Sequence, residues 1–537
     1  MHSLRGRPRV NRSRPDQGRT LTPVHSDQTG IGRLVAKSTG LCVLVALPAL
    51  FARPWADERI YLYWPEQIAG RNPFLLVERV FYEIPGYLEL GVFRWLSRLL
   101  TFGENWFLLR TSLTVGIPVN VLRAVPKVAM IALLAAVAYW TIRQYQAATP
   151  SPIRVTPLAT TLPLAMAASL TLFTPSTHPL TLFPTLYLGT AGLALAIPLW
   201  LGRYHQNGGR LHPSEGRLHP RRWVGFALVG AGLASMIELA YLALPLSLLH
   251  LLLLGMAGEL SWSQLRSSPA LKAWLAMVGG FVAVFVPVRI LISRACADGA
   301  CYDAAQPVFG AGLSDAWPQR LLAGAFPLLQ AQQWEQTRLA LTRDRSAILL
   351  GMVAALAAFL ILRRAWREPP EGESLRRAWQ AGLVYSVAII ILAALLSSLS
   401  LAVQQGDLGL RPWRETGFSW VGWSMLLALV SAGWLTRPER PLRLLTGGVL
   451  IVGVFLAAVQ NQTDLARERS DPEARLHNQV ATLLVDFDPT ESGNAQRCQV
   501  TGQLLALPDA DSNRMPFLVG LLDAVATNHY RTSFCSS

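Results

Sequence analysis

Charge is what this chain of 537 residues lacks: only 15% of them are Asp, Glu, Lys or Arg, against about 25% in a soluble domain. Lysine is nearly absent, with Lys37, Lys127 and Lys272 the whole complement. Several motifs are missing as well. No G-x-x-x-x-G-K-[ST] loop is present to cradle a nucleotide, which excludes an ATP-driven motor built on one. There is no H-E-x-x-H helix and no G-x-S-x-G turn. No stretch reads as the alternating strands of a membrane barrel, and no regular inverted repeat of the transporter kind is visible.

What is present is apolar. Hydrophobic residues make up 52% of the chain and mean hydropathy is +0.33. Long runs such as Val128–Trp140, Phe226–Leu254 and Ala347–Leu362 carry most of it. A bilayer core needs about 20 apolar residues per helix, and the backbone there must bond to itself. The expectation is an all-α polytopic membrane protein of about 11 transmembrane helices. They are placed at 33–54, 124–144, 156–173, 180–201, 223–241, 244–258, 272–293, 346–363, 380–403, 418–435 and 444–460. Between 223 and 258, Pro245 marks the expected break. Residues 1–32 are polar and Arg-rich and read as a disordered basic cytoplasmic tail. They are too long and too far from an A-x-A site to be a cleaved signal peptide, and the first span is expected to serve as an uncleaved signal.

The net charge of +15 points away from nucleic acid, because the arginines cluster in alternate loops, as topology signals do. Arg217, Arg221 and Arg222 fall in one such loop, Arg363, Arg364, Arg376 and Arg377 in another, and Arg437, Arg440 and Arg443 in a third. Placing these loops inside a bacterial plasma membrane puts the N-terminus in the cytoplasm and the C-terminus outside. The segments 55–123, 294–345 and 461–537 then face outward. They are too long to be simple connectors.

Cysteine usage bears on the same topology. Of the five cysteines, Cys42 lies within the first span, where a buried thiol is inert. The other four fall outside, where disulfides persist, and the expected pairs are Cys296–Cys301 and Cys498–Cys535. The Cys-x4-Cys spacing also suits a metal, but no histidine is nearby. The repeat Gly209–Pro213 and Gly216–Pro220 holds His212 and His219 in what reads as a basic turn. In the region 461–537, Gln479–Phe487 and Gln503–Leu507 read as short strands and Pro516–Val525 as a short helix.

The first outer loop carries the densest chemistry. It opens Trp55-Ala-Asp-Glu-Arg59, which sets the adjacent carboxylates Asp57 and Glu58 at the membrane surface. Leu88, Val92, Trp95, Leu96 and Leu99 recur at helical spacing with Arg94 and Arg98 opposite, which predicts a helix lying flat in the interface. On the residues alone, Asp57 and Glu58 suit either a helix N-terminal dipole or a general base.

This layout resembles the GT-C glycosyltransferases, multi-span enzymes that use polyprenyl-phosphate sugar donors. It is similar in particular to bacterial members whose first loop reads acidic-acidic-Gly and then Gly-Tyr-Leu-His-Leu. Here the matching segments are Asp57-Glu58-Arg59 and Gly86-Tyr-Leu-Glu-Leu90. Arg59 stands where that pattern has glycine and Glu89 where it has histidine, so the histidine's role has no counterpart. The resemblance implies sugar transfer from a polyprenyl-phosphate-linked donor to an envelope glycan or glycolipid, among membrane lipids, with inversion at the anomeric carbon. It implies Asp57 as base or as ligand of a divalent cation (Mg or Mn), with Glu58 as its partner.

Other candidates follow from placement. Glu238 is an acid within a span, which is costly and marks a functional or paired group. Arg289, near a span end, suits a lipid phosphate or simple snorkelling. His178 sits in the turn 174–179, where it meets substrate or solvent. Arg411, Arg414 and Glu415 lie among Trp413, Phe418, Trp420 and Trp423, an arrangement that suits sugar faces or an interfacial belt. Two other classes fit the same sequence. A flippase for lipid-linked glycans requires more charge along a central cavity, and a non-catalytic scaffold of an envelope assembly complex tolerates loss of the Asp57 and Glu58 charges.

Overall fold

The computed structural model describes residues 28–52, 54, 57–148, 156–172, 178–207, 221–258, 266–297, 301, 306–322, 325–329, 334–365, 376–405, 414–437, 439–507 and 514–536. Arg411, Trp413 and the histidine repeat at 209–220 lie outside them. Among the described residues the fold is helical, with no strand and an isolated bridge between Pro307 and Ser400.

The chain enters through α1 (Gln28–Val45) and a short α2 (Leu47–Leu50). The first large loop folds as α3 (Asp57–Ala69), α4 (Phe74–Tyr82), α5 (Ile84–Glu89) and α6 (Trp95–Val115). The bundle continues with α7 (Val119–Ala148), α8 (Thr156–Ala168), α9 (Pro184–Gln206), α10 (Arg221–Ala234), α11 (Ala243–Ala257) and α12 (Pro269–Ala295). The second large loop holds α13 (Gly312–Leu321) and α14 (Trp334–Arg343). Then come α15 (Arg345–Ala365), α16 (Arg376–Ser398), α17 (Leu401–Gln404), α18 (Thr416–Leu435) and α19 (Arg440–Ser470). The last three helices are α20 (Pro472–Val485), α21 (Glu491–Leu505) and α22 (Arg514–Tyr530).

Among the described residues, eight helices are long and apolar enough to cross a membrane, so the chain is an all-α multi-pass membrane protein. The count corrects the expected eleven. The spans expected at 156–173 and 223–241 contract to the apolar stretches Pro157–Ala168 and Trp223–Ala234, and the one at 33–54 is interrupted at Ala46. The break between 223 and 258 also moves. It falls at Ser235–Ile237 and a 3-10 turn over Glu238–Leu242, while Pro245 sits inside the first turn of α11. Proline is tolerated there because first-turn amides have no intrahelical partner. At the N-terminal side, helix begins at Gln28, inside the stretch read as a tail.

Helix starts follow local chemistry. Ser268 accepts from the Ala270 amide at 3.2 Å with Pro269 behind it, and Thr490 accepts from the Gly493 amide at 3.2 Å. Close packing follows the glycines. A Cβ on Gly230 would lie 1.8 Å from the Met277 carbonyl oxygen, and one on Gly280 would lie 1.9 Å from that of Ala227. Only a pair without side chains lets α10 and α12 approach this closely.

All three large segments meet at one end of the bundle. The last three helices share a core with the first loop: Leu62, Tyr63 and Leu109 pack with Val480, Leu504 and Leu522. The strands expected at Gln479–Phe487 and Gln503–Leu507 are α20 and α21 instead. Val480 and Leu484, four residues apart, bury one helical face, and a short apolar run does not separate strand from helix by itself. Arg59 pairs with Glu473 across this junction. Trp106 Nε1 donates to the Gly70 carbonyl at 3.0 Å, and Arg110 pairs with buried Glu66 at 2.6 Å. Both expected disulfides are present, Cys296–Cys301 and Cys498–Cys535. Cys301 Sγ would lie 3.1 Å from a Cβ on Gly91, a residue with φ +79°, so the second loop rests on that turn. The turn also breaks the flat helix expected over Leu88–Leu99 into α5 and α6.

Candidate functional site

Two cations one turn apart on α7 hold the end of α2 and the start of α3, where Asp57 sits. Lys127 is fully buried, and its ammonium donates to the carbonyls of Ala49, Leu50 and Ala52 at 2.8, 3.1 and 3.2 Å. Its three donors thus meet the open carbonyl end of the first helical segment. Arg123, 2% exposed, pairs with Glu58, also 2% exposed. The same Glu58 oxygen accepts from the Phe183 amide at 2.9 Å, where the chain turns through φ +47° into α9.

The adjacent acids therefore part company. Successive helical residues point about 100° apart, so Glu58 turns inward to Arg123 while Asp57 is exposed. Among the described residues, no hydrogen bond or ion pair engages Asp57. A Mg²⁺ site uses one or two carboxylates and fills its shell with water and substrate phosphate. Asp57 is one such carboxylate, and Glu58 is held by Arg123. No group of three His, Cys, Asp or Glu gathers among the described residues.

One turn on from Asp57, Tyr61 packs edge-on against Phe183 at 5.4 Å. Arg98 lies between Tyr61, at 5.6 Å from the ring centre, and Tyr87, at 3.5 Å. The Tyr87 hydroxyl donates to Glu83 at 2.9 Å. Arg98 thus links α3, the helix that begins at Asp57, to the 86–90 segment. Glu104, which accepts from the Thr185 hydroxyl at 2.6 Å, completes this wall. Burial holds its carboxyl above the usual range. Glu89, in the place of the pattern's histidine, is exposed. Arg59, in the place of its glycine, is the buried latch to Glu473.

A second cluster adjoins the first along α9. Arg94 donates to a single Glu238 oxygen through Nε and Nη2, at 2.9 and 2.8 Å. Arg414 lies within electrostatic reach of that carboxylate, and Arg289 and Arg94 both act on neighbouring Tyr241. Tyr187, one turn beyond Phe183, stacks edge-on against it at 6.0 Å and faces Arg94. Of the expected site residues, Glu238, Arg289 and Arg414 are therefore brought together.

The remaining candidates fall elsewhere. His178 is 2% exposed. Its Nδ1 accepts from the Leu180 amide at 3.0 Å, and burial pushes the imidazole down to about 3. It is a neutral turn-closing residue that touches no solvent. Phe418 and Trp420 are core residues, with Trp420 Nε1 donating to the Met166 carbonyl at 2.9 Å. They form neither a sugar platform nor an interfacial belt. Glu415 is buried on Arg320 at 2.9 Å and accepts from Ser397 at 2.8 Å. Sequence reasoning passed over Arg123, whose signal is a cation four residues before another in an apolar helix. It also placed Arg94 and Arg98 toward headgroups, whereas they point into the protein. Comparison with protein-family models, curated proteins and solved structures finds no match to this chain.

Proposed function

We propose that this protein is a GT-C-like membrane glycosyltransferase. It moves a sugar from a polyprenyl-phosphate donor to an envelope glycan or glycolipid on the outer face of a bacterial plasma membrane, with its N-terminus cytoplasmic. The observation that supports the reading is the exposed Asp57 carboxylate at the start of α3, which no hydrogen bond or ion pair engages among the described residues. Arg98 joins the same helix, through Tyr61, to the 86–90 segment.

In this reading the Asp57 carboxylate takes the proton of an acceptor hydroxyl. The hydroxyl oxygen bonds to the anomeric carbon as the carbon–oxygen bond to the donor phosphate breaks, with inversion. The departing phosphate is anionic and needs nearby cations, which the arginine clusters supply. A divalent cation, Mg²⁺ or Mn²⁺, bound through Asp57 would add charge neutralisation at that phosphate. Glu58 is a positioning residue that sets the direction in which Asp57 points.

The test is glycan analysis of a deletion strain complemented with wild type or with Asp57→Asn at matched expression. Wild type should restore the missing sugar and Asp57→Asn should not. Full restoration by Asp57→Asn removes the catalytic assignment and favours a lipid-glycan flippase or a scaffold.

A further inference from the structure

The helix that begins at Asp57 is open along one side. Leu62 and Tyr63 of α3 join the core shared with the last three helices, and Ala69 joins Phe102 of α6. At 100° per residue, Asp57, Ile60, Tyr61, Trp64 and Gln67 fall on the remaining arc of about 120°. Asp57 and Gln67 are exposed, and the three residues between them are half-buried. Among the described residues, no hydrogen bond or ion pair engages the side chain of Asp57 or of Gln67.

Trp64 crosses the middle of this face. Its ring meets Phe102 of α6 at 5.7 Å and, edge-on, Phe517 of α22 at 5.8 Å. Phe517 is 42% exposed, so open aromatic surface lies beside the face of α3. Both flanking helices also hold the far end of α3: Trp106 of α6 through the Gly70 carbonyl, and Asn528 of α22, whose Nδ2 donates to the Glu66 carbonyl at 3.1 Å. The face is therefore fixed in shape along its length. From Asp57 to Trp64 is seven residues, about 10 Å along the axis, which is longer than one sugar ring.

The side chains on this arc suit carbohydrate. An aromatic ring takes the C–H face of a sugar, and an amide such as Gln67 both donates to and accepts from hydroxyls. The arc carries no arginine or lysine, which a nucleic acid requires. Its carboxylate and amide are too polar to lie against an acyl chain.

We propose that α3 and α22 bind a glycan chain of several units, laid along α3 with its acceptor end at Asp57 and an inner sugar stacked on Trp64 and Phe517. The placement of the chain's end rests on the transferase reading, and the aromatic subsite does not. The acceptor is then a chain that a separate glycosyl transfer has already begun, and Phe517 and Gln67 select for its length without touching the reacting atoms.

Trp64 packs into both cores, so the test uses Phe517 and Gln67, whose side chains are exposed. The probe is oligosaccharide cut by mild acid from the envelope polysaccharide of the deletion strain, sorted by length and labelled with a fluorophore at the reducing end. Binding to the purified full-length protein in detergent is read as fluorescence anisotropy. Long fragments should bind about tenfold more tightly than disaccharides. Phe517→Leu keeps an apolar contact with Trp64 but loses the ring, and it should weaken the long fragments about fivefold, whereas Phe517→Tyr keeps the ring and should bind like wild type. Gln67→Ala should weaken them about threefold. Failure of every fragment to bind, affinity that ignores length, or long-fragment binding undiminished in Phe517→Leu overturns the proposal. Binding needs no transfer, so Asp57→Asn should stay within about twofold of wild type. Length-dependent binding that Phe517→Leu removes, in a protein whose deletion leaves the glycan intact, sinks the transferase and spares the aromatic subsite. A glycan defect with length-independent binding does the reverse.

Discussion

Replacing Glu58 by Gln should cost the protein stability, whereas replacing Asp57 by Asn should not, although the two residues are neighbours and both changes are isosteric. Glu58 and Arg123 are each 2% exposed and form a buried ion pair. Removing one partner of such a pair leaves an uncompensated charge and costs about 3–5 kcal/mol. In Glu58→Gln the neutral amide can still accept from the Phe183 amide, and Glu104 lies near enough to Arg123 to compensate in part. The expected loss is therefore about 3 kcal/mol, at the low end of that range. Arg123→Met strands the Glu58 carboxylate instead and should cost about 4 kcal/mol. The double variant Glu58→Gln/Arg123→Met removes both charges and should recover most of the loss, which makes the cycle strongly non-additive. Asp57→Asn alters an exposed, unengaged carboxylate and should stay within about 0.5 kcal/mol of wild type. The assay is denaturant-dependent pulse proteolysis of the purified protein in detergent, with all five chains compared under one condition. Equal stability of Glu58→Gln and wild type, or additive single losses, would refute the inward pairing of Glu58 and the division of roles built on it.

Other outcomes follow from the same geometry. Gly230→Ala should separate α10 from α12 and cost about 3 kcal/mol, read as a lowered thermal midpoint, while Gly232→Ala should raise stability by about 1 kcal/mol. His250 bridges the Tyr145 hydroxyl and the Gln144 side-chain oxygen, at 2.7 Å each. His250→Leu leaves both buried groups without that partner and should cost about 3 kcal/mol in the same assay. The last three helices should loosen in acid. Burial holds His477 below its usual value, and Glu473 is held down to about 2 by His477, 3.5 Å away, and by Arg59 and Arg514. Both folded values lie below the unfolded ones, so the stability they contribute is present at neutral pH. It is lost first as pH falls below the ordinary histidine value of about 6.5, then from about 4.3 toward the folded Glu473 value. Hydrogen exchange in α20–α22 measured against pH should show the two stages, and Glu473→Gln should remove the lower one.

The membrane-embedded helices were legible in the sequence because hydropathy there is nearly a one-dimensional signal. Where it failed, at 33–54, 156–173 and 223–241, turns within the apolar run shortened the helix, and average hydropathy does not register turns. The disulfides were legible because alternation of basic loops sorted four cysteines into two sequence-local pairs. The fate of Glu58 was not legible. Its partner lies 65 residues away in a span, and adjacency in sequence says nothing about which of two acids turns inward. His178 was misplaced for a related reason: a polar turn reads as solvated, but His178 itself lies beside Leu188 of α9 and Trp420 of α18 and is covered. Arg59 reads as a defect against the pattern it resembles until Glu473, more than 400 residues later, is seen beside it.

The shared core of the first loop and the last three helices also imposes an order on biosynthesis. Leu62, Tyr63 and Leu109 are synthesised early, yet the residues of the last three helices that cover them lie about 370 to 460 positions further on. At typical elongation rates that is an interval of about 20–90 s. Through it the emerging chain presents a half-built apolar surface to the cell's chaperones and proteases. The site around Asp57 thus reaches its final form only after almost the whole polypeptide has been made, so a chain interrupted before α20 carries every proposed catalytic side chain and still marks itself for disposal.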